Sequence, residues 1–241
     1  MQNWFWLVCF FHPPTSLNCT IFGIQTPRRW HNVVNICILK RGADKWESNE
    51  YRIKTKFRVS YGAPVLHREQ VYFLDVKGNV ATFDISKSRL IVNSRCLRRR
   101  RRLGDKIKEH YLFKIKGEEQ TLFAVFVLHD ERKVNMFRLL EPEMKWELVE
   151  DIGDKVLYLS LWLSFGDTAH LKSMANRIYF PKFHGDTAIF YSLCTRKYHS
   201  LDNNYSDDNS YGLKRLDFAA WIMPAPIPQL PTELLTWSLE D

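Results

Sequence analysis

Several kinds of functional sequence are missing from this chain of 241 residues. It holds no Gly-x-Ser-x-Gly nucleophile elbow, no His-Glu-x-x-His helix, no Walker phosphate loop and no dinucleotide-binding fingerprint. Its five cysteines form no Cys-x-x-Cys pair, so the ligand spacing of a zinc site is absent as well. We therefore interpret the chain as a non-enzymatic protein without cofactor or metal. Its thiols are expected to be free in a reducing, intracellular compartment, either nucleus or cytoplasm.

Two pairs of polar residues could suggest chemistry, but a simpler explanation exists for each. His184 and Asp186 flank Gly185 at a hairpin tip, where two ligands are too few for a metal site and exposed turn residues are expected. Asp75 and Asp84 are predicted to face each other across a hairpin. Aspartates at strand ends usually accept hydrogen bonds from turn amides, and we expect that role here.

Long hydrophobic runs and long amphipathic helical patterns are also missing. The longest apolar run near the start, residues 4–11, spans eight residues, has no preceding Lys or Arg and is closely followed by Pro13 and Pro14. It is too short for a membrane span and lacks the charged start of a signal peptide, so we interpret it as a buried strand and expect no membrane partner. The chain is 45% hydrophobic and 14% aromatic, which suits a single all-β core.

Positive charge is concentrated in one stretch, residues 95–108. Eight cations and one acid there account for +7 of the net charge of +8, which leaves +1 for the remaining residues. A solvated loop is the simplest interpretation, since nucleic-acid binders usually spread their cations over a face. A nuclear-import signal or a contact with an acidic partner is a second interpretation, and nucleic-acid binding is the least favoured. The candidate contact residues are Arg95, Arg98, Arg99, Arg100, Arg101, Arg102, Lys106 and Lys108.

An aromatic repeat is the most informative pattern present. Three segments each hold two aromatic strands whose marker residues lie 11 apart, and successive copies are 54 and 53 residues apart. A period near 50 residues built from short strands is typical of β-propeller blades of the kelch kind. The three marker pairs are Tyr72 with Phe83, Phe126 with Phe137, and Tyr179 with Phe190.

Further strands and turns fit the same pattern. Residues 34–39 read as a strand of an earlier, degraded copy, residues 57–61 alternate as a half-exposed strand, and residues 156–162 read as a fully buried strand. Lys77-Gly78-Asn79 predicts the tight turn of a hairpin, because Gly and Asn tolerate positive φ. Five tryptophans are expected in the core or between blades: Trp30, Trp46, Trp146, Trp162 and Trp221.

Residues 146–180 resemble the KIB-type β-propeller domain, which lies behind an F-box in many plant proteins. The likeness consists of Trp146, then Gly153-Asp154 before an apolar aromatic strand, then Asn176 before Ile-Tyr-Phe. Two further segments, residues 72–84 and 11–15, resemble other parts of that family, so the likeness covers most of residues 10–200. It implies an all-β, kelch-like propeller, incomplete here with about four blade-like units.

The resemblance also implies a function. Family members usually carry an N-terminal F-box, a small helical unit that docks on the adaptor of a cullin-RING ubiquitin ligase, and this sequence shows none. We expect a truncated gene product or a natural form without the docking half. Residues 1–222 are predicted to form one propeller-like domain, followed by a Pro-rich tail at 223–241. The expected function is protein recognition, as in the substrate-binding half of an F-box receptor. The alternative is a nucleic-acid or nuclear-associated protein that acts through residues 95–108.

Overall fold

The structure, a computed structural model, describes residues 7–27, 32–94, 96–97, 106–129, 133–184, 186–201, 214–216 and 219–221. Those ranges contain eighteen strands and one short 3-10 helix, Lys172–Met174. Within them, no helix has the length and apolar content that a membrane crossing requires. The predicted tail, 223–241, lies outside the described residues, so its boundary with the domain stays a prediction.

The strands form four sheets that follow one another in chain order. Sheets 1 to 3 are four-stranded antiparallel meanders, the form of a propeller blade. Sheet 1 contains β1 (Leu7–Phe11), β2 (Thr20–Gln25), β3 (Val33–Lys40) and β4 (Glu47–Arg52). Sheet 2 contains β5 (Val65–His67), β6 (Gln70–Leu74), β7 (Val80–Asp84) and β8 (Arg89–Asn93). Sheet 3 contains β9 (Ile107–Phe113), β10 (Phe123–Leu128), β11 (Val134–Leu140) and β12 (Lys145–Val149).

Sheet 4 departs from this simple meander. Its strands are β13 (Lys155–Tyr158), β14 (Phe165–Thr168), β15 (Arg177–His184), β16 (Thr187–Ser192), β17 (Lys197–Ser200) and β18 (Lys214–Arg215). The order is β14-β13-β15-β16-β17, and β18 pairs with β15. β13 runs parallel to β15, with Val156 opposite Arg177. This parallel pairing was not predicted, because strand periodicity carries no information about pairing between distant segments.

Successive sheets pack face to face through three hydrophobic clusters. Phe22 of sheet 1 lies 5.9 Å from Phe83 of sheet 2, and Tyr111 of sheet 3 lies 5.7 Å from Phe180 of sheet 4, measured between ring centroids. Because β10 is covered on both faces, all six of its residues are buried. Burial of one large apolar side chain contributes about 1.5–3 kcal/mol, so these interfaces are the main source of stability.

The four sheets form an open series. Among the described residues, no strand pairing joins sheet 4 back to sheet 1. The prediction of an incomplete β-propeller with about four blade-like units is confirmed in this respect.

The three aromatic marker pairs locate real hairpins, but their positions within the hairpins differ. Tyr179 lies directly opposite Phe190 in β15 and β16. Tyr72 lies opposite the residue before Phe83, so those two side chains point to opposite faces of sheet 2. The second pair is offset by two residues along its strands. A shift of one residue exchanges the faces of a strand, so equal spacing did not guarantee equivalent packing.

Several tryptophan and strand predictions were wrong in part. β13 ends at Tyr158, so the predicted buried strand 156–162 is only half as long. Trp162 is 47% exposed and Trp46 is 38% exposed, whereas Trp146 is buried as predicted. Trp221 is half-buried, and Trp30 lies outside the described residues.

Two other segments are less regular than predicted. Residues 57–61 form no named strand and make one isolated bridge, between Val59 and Asp75. Phe57 and Val59 are nevertheless buried, and Tyr61 is exposed. Residues 7–11 of the run 4–11 form a strand that is only partly buried, because Phe10 is 56% exposed. Residues 4–6 of the run lie outside the described ranges.

Candidate functional site

The side chain of His110, within β9 of sheet 3, contacts the β6–β7 turn of sheet 2. Its Nε2 lies 2.8 Å from the carbonyl oxygen of Val76, in the turn between β6 and β7. A carbonyl can only accept, so Nε2 carries the proton in this contact. Burial lowers the pKa of His110 to about 4, which keeps the imidazole neutral near pH 7. His110 therefore joins two sheets as a neutral donor.

Gly62 brings the chain segment before β5 against the same residue. A Cβ atom at position 62 would lie 2.6 Å from the carbonyl oxygen of His110, so a side chain there requires the backbone to move. One residue further, the Ala63 amide donates to the carbonyl of Leu161 over 3.1 Å. That bond links the entry to sheet 2 with the β13–β14 connection of sheet 4, so segments of three sheets converge here.

The β13–β14 connection is braced by its own serines. The Ser160 hydroxyl donates to the carbonyl of Leu163 over 2.6 Å, and the Ser164 hydroxyl donates to the carbonyl of Ser160 over 2.8 Å. These bonds hold a compact turn whose two central residues, Trp162 and Leu163, are 47% and 44% exposed. Tyr61, on the segment joined to this turn through Ala63, is 63% exposed.

Tyr61, Trp162 and Leu163 together form what we call the Trp162 patch. Exposed large apolar residues occur singly on most proteins, but a group of them on joined segments is typical of an interaction site. Trp and Tyr are the residues that most often carry binding energy in protein interfaces. The patch therefore offers apolar contact area that the fold itself leaves partly uncovered.

Four exposed cations lie on segments that flank the strands of sheets 2 and 3. The backbone carbonyl of Arg58 accepts a hydrogen bond from the Val76 amide (2.9 Å), and that of Lys106 accepts one from the His129 amide (2.8 Å). The backbone carbonyl of Lys133 closes the β10–β11 turn. All three side chains are exposed. With the exposed Lys77, in the turn between β6 and β7, they form what we call the basic rim: Arg58, Lys77, Lys106 and Lys133.

Only part of the predicted basic loop can be placed. Lys106 and Lys108, at the start of sheet 3, are exposed. Arg95, Arg98, Arg99, Arg100, Arg101 and Arg102 lie outside the described residues. A role for residues 95–108 in contact or import stays a prediction.

Asp75 has the structural role that was predicted for it. Its carboxylate accepts hydrogen bonds from the amides of Lys77 and Asn79 and from Asn79 Nδ2, each 2.8 Å long. Burial raises the pKa of Asp75, and these hydrogen bonds oppose that effect. The expectation that Asp75 faces Asp84 was wrong, because Asp84 pairs with Gln70 at the far end of the hairpin. The two carboxylates do not form an acid–base pair.

A second polar cluster joins sheets 2 and 3 away from His110. The hydroxyl of Tyr72 donates to Glu141 Oε1 (2.7 Å) and Arg68 Nη1 donates to Glu141 Oε2 (2.9 Å). His67, fully buried, lies with Nε2 3.7 Å from the same carboxylate. Burial lowers the pKa of His67, so it adds no charge to the contact near pH 7.

Sheets 3 and 4 share a buried ion pair. Lys182 Nζ lies 3.0 Å from Glu109 Oε1, and both side chains are almost fully buried. The Tyr111 hydroxyl donates to Glu109 Oε2 over 2.6 Å. Sequence patterns gave no signal for this pair, since Lys182 lies inside an aromatic strand and Glu109 beside a cationic segment.

The described residues show no cluster of metal ligands, and two of their thiols are held protonated by burial. No group of three or more His, Cys, Asp or Glu residues within them could hold a metal ion. All five cysteines are free. Burial raises the pKa of Cys9 to about 12 and that of Cys96 to about 11, which disfavours the reactive thiolate.

Comparison with known families agrees with the four-sheet architecture. No curated protein matches the chain. The KIB1-4 beta-propeller model matches residues 2–208, which includes all four sheets except β18. The chain therefore belongs to the KIB1-4 beta-propeller family.

Proposed function

We propose that this chain is a non-enzymatic protein-recognition domain that binds its partner through the Trp162 patch. The observation that carries the proposal is the joint exposure of Tyr61, Trp162 and Leu163 on two segments tied together by the Ala63–Leu161 hydrogen bond. Membership of a propeller family supports it, since propeller domains generally bind proteins.

The contacts that brace these segments support the same assignment. Gly62 lies against the backbone of His110, and Ser160 and Ser164 brace the turn that carries Trp162. A preorganised surface loses less conformational entropy when it binds than a mobile loop does. More of the free energy gained when a partner buries these aromatic side chains therefore remains as affinity.

The resemblance to F-box-associated domains extends the proposal to a ligase role. Together with an F-box, this domain would be the substrate-binding half of a ubiquitin-ligase receptor, and the ligase adaptor would be its second partner. In that case removal of the chain raises the abundance of its bound partner in cells. An unchanged abundance of the partner would reject the ligase role but not the recognition role.

Recognition itself is tested by quantitative affinity capture from cells that express the tagged chain. The test variant combines Tyr61→Ser, Trp162→Ser and Leu163→Ser. The control variant combines Leu17→Ser, Ile91→Ser and Leu171→Ser, at residues 89%, 42% and 62% exposed in other regions. We expect one specific protein to be lost from the test variant and kept by the control. Equal retention by both variants, with both folded, would reject the Trp162 patch as the binding surface.

A further inference from the structure

Part of the basic rim is linked to the connections that present the Trp162 patch. Val76 links the two directly, because its amide donates to the carbonyl of Arg58 and its carbonyl accepts from His110. Gly62 lies against His110 on the other side and leads to the patch. A ligand that covers Tyr61 therefore comes close to Arg58, which precedes it by three residues.

One acidic side chain close to the basic rim is buried. Asp75, in the same turn as Lys77, is 2% exposed and points into its own turn amides. The imidazole of His110 is neutral near pH 7 because burial lowers its pKa. Asp75 therefore adds no exposed negative charge beside Lys77, and His110 adds no positive charge near pH 7.

From this arrangement we infer that the partner presents an acidic peptide segment with apolar anchors, in which Asp or Glu side chains face the basic rim and Phe or Leu side chains cover the Trp162 patch. The inference rests on the proposed function and adds the chemistry of the partner. Complementary charge speeds association and selects among partners, while the buried apolar anchors supply most of the affinity.

Nucleic acid fits the arrangement less well. Leu163 is aliphatic and offers no ring for a base to stack on, in contrast to the aromatic platforms of single-strand binders. Outside residues 95–108 the chain carries a net charge of only +1, whereas phosphate backbones are bound by cations spread over a face. The acidic peptide is therefore the occupant that the charges and the aliphatic residue favour.

The test measures binding of three fluorescent probes to the full chain by anisotropy. The first is a short synthetic peptide rich in Glu with one Phe and one Leu, the second has every Glu replaced by Gln, and the third is a single-stranded DNA of equal charge. The rim variant combines Arg58→Gln, Lys106→Gln and Lys133→Gln. The control variant, with the same change in net charge, combines Lys40→Gln, Lys145→Gln and Lys172→Gln at other exposed lysines.

The inference predicts that the Glu peptide binds at least about tenfold more tightly than the Gln peptide, with the advantage falling as salt is added. The rim variant should lose about tenfold, since three exposed ion pairs together have that effect, and the control should lose much less. No binding of the Glu peptide, an equal loss in the control, or tighter binding of the DNA would each overturn it. If affinity capture still shows a Trp162-dependent partner in those cases, the proposed function stands and only the acidic partner is rejected.

Discussion

The indole Nε1 of Trp146 donates a hydrogen bond to the carbonyl of Gly78 over 2.8 Å. This bond ties the outer strand of sheet 3 to the hairpin turn of sheet 2. The same turn presents the carbonyl of Val76 to His110, so the contact between these sheets positions the proposed binding surface. Substitutions in this contact test how the surface is held.

Replacement of Gly78 by Ala should destabilise the protein by about 2–5 kcal/mol. Gly78 has a φ of +75°, and a Cβ atom there would lie 3.0 Å from Phe126 Cζ and 3.1 Å from Leu97 Cδ1. Left-handed backbone costs a residue with a side chain about 1–2 kcal/mol, and overpacking adds about 1–3 kcal/mol. Urea unfolding measures the loss.

Gly42→Ala is the matched control for this substitution. Gly42 has a φ of +81° but no neighbouring atom within 4 Å of its added Cβ. Only the backbone cost of about 1–2 kcal/mol applies to it. Equal losses at Gly42 and Gly78 would show that the packing of sheet 2 on sheet 3 differs from the structure.

Replacement of Asp75 by Ala should cost about 2–4 kcal/mol in the free energy of unfolding, because it removes three hydrogen bonds from a buried turn. Asp84→Ala is the comparison, since that carboxylate bonds to Ser86 and Lys87 in an exposed turn. We expect a clearly smaller loss at Asp84. The opposite order, measured by urea unfolding, would contradict the structural role of Asp75.

Stability should fall as the pH drops from about 6.5 to about 4. The ordinary His pKa is 6.5, and that of His110 is lowered to about 4 by burial, so the unfolded state binds its proton first. The contribution of the neutral His110 to the free energy of unfolding is fully present above pH 6.5, and about 3 kcal/mol of it is lost as the pH falls to about 4. His110→Gln, which keeps an N–H donor for Val76, should flatten this part of the profile.

The exposed His170 provides the control for this pH dependence. His170→Gln is the matched substitution at an exposed position, and its profile is measured beside that of His110→Gln. The lowered pKa of His67 acts in the same direction, so part of the slope should remain in the His110 variant. An unaltered profile in His110→Gln would contradict burial of a neutral imidazole at the meeting of the two sheets.

Breaking the buried ion pair between Lys182 and Glu109 should be strongly destabilising. Lys182→Met leaves the Glu109 carboxylate buried with Tyr111 as its remaining donor among the contacts described above, and such losses are about 3–5 kcal/mol. Adding Glu109→Gln removes that charge, and the new side-chain amide oxygen can still accept the hydrogen bond from Tyr111. At least half of the lost stability should therefore be recovered in the double variant. A double-mutant cycle by chemical unfolding measures the coupling, and additive losses would mean that the two charges do not interact.

The sequence predicted turns and hairpins better than it predicted the face of the sheet on which each side chain lies. The turn at Lys77-Gly78-Asn79 was found because few residues besides Gly and Asn tolerate positive φ, and Gly78 has it. Blade-like hairpins were found because aromatic strands recur. The faces of Tyr72 and Phe83 were not found, since a shift of one residue reverses them.

Most residues of the candidate site were not predicted from the sequence. Trp162 was assigned to a buried strand, because an apolar run looks the same whether or not its end leaves the sheet. Hydrogen bonds from Ser160 and Ser164 hold the turn that carries Trp162 there. His110 and Lys182 depend on contacts between residues more than 30 positions apart in the first case and more than 70 in the second. Periodicity does not encode contacts of that kind.

Site-specific photo-crosslinking in cells tests the central claim most directly. A benzophenone amino acid is placed at Tyr61 or Leu163 within the Trp162 patch, and at Leu171 or Leu17 as exposed controls. The account predicts that positions 61 and 163 form a covalent adduct with the same protein, and that the control positions do not. Adducts with that protein from the control positions alone, or with different proteins at 61 and 163, would contradict recognition through this surface.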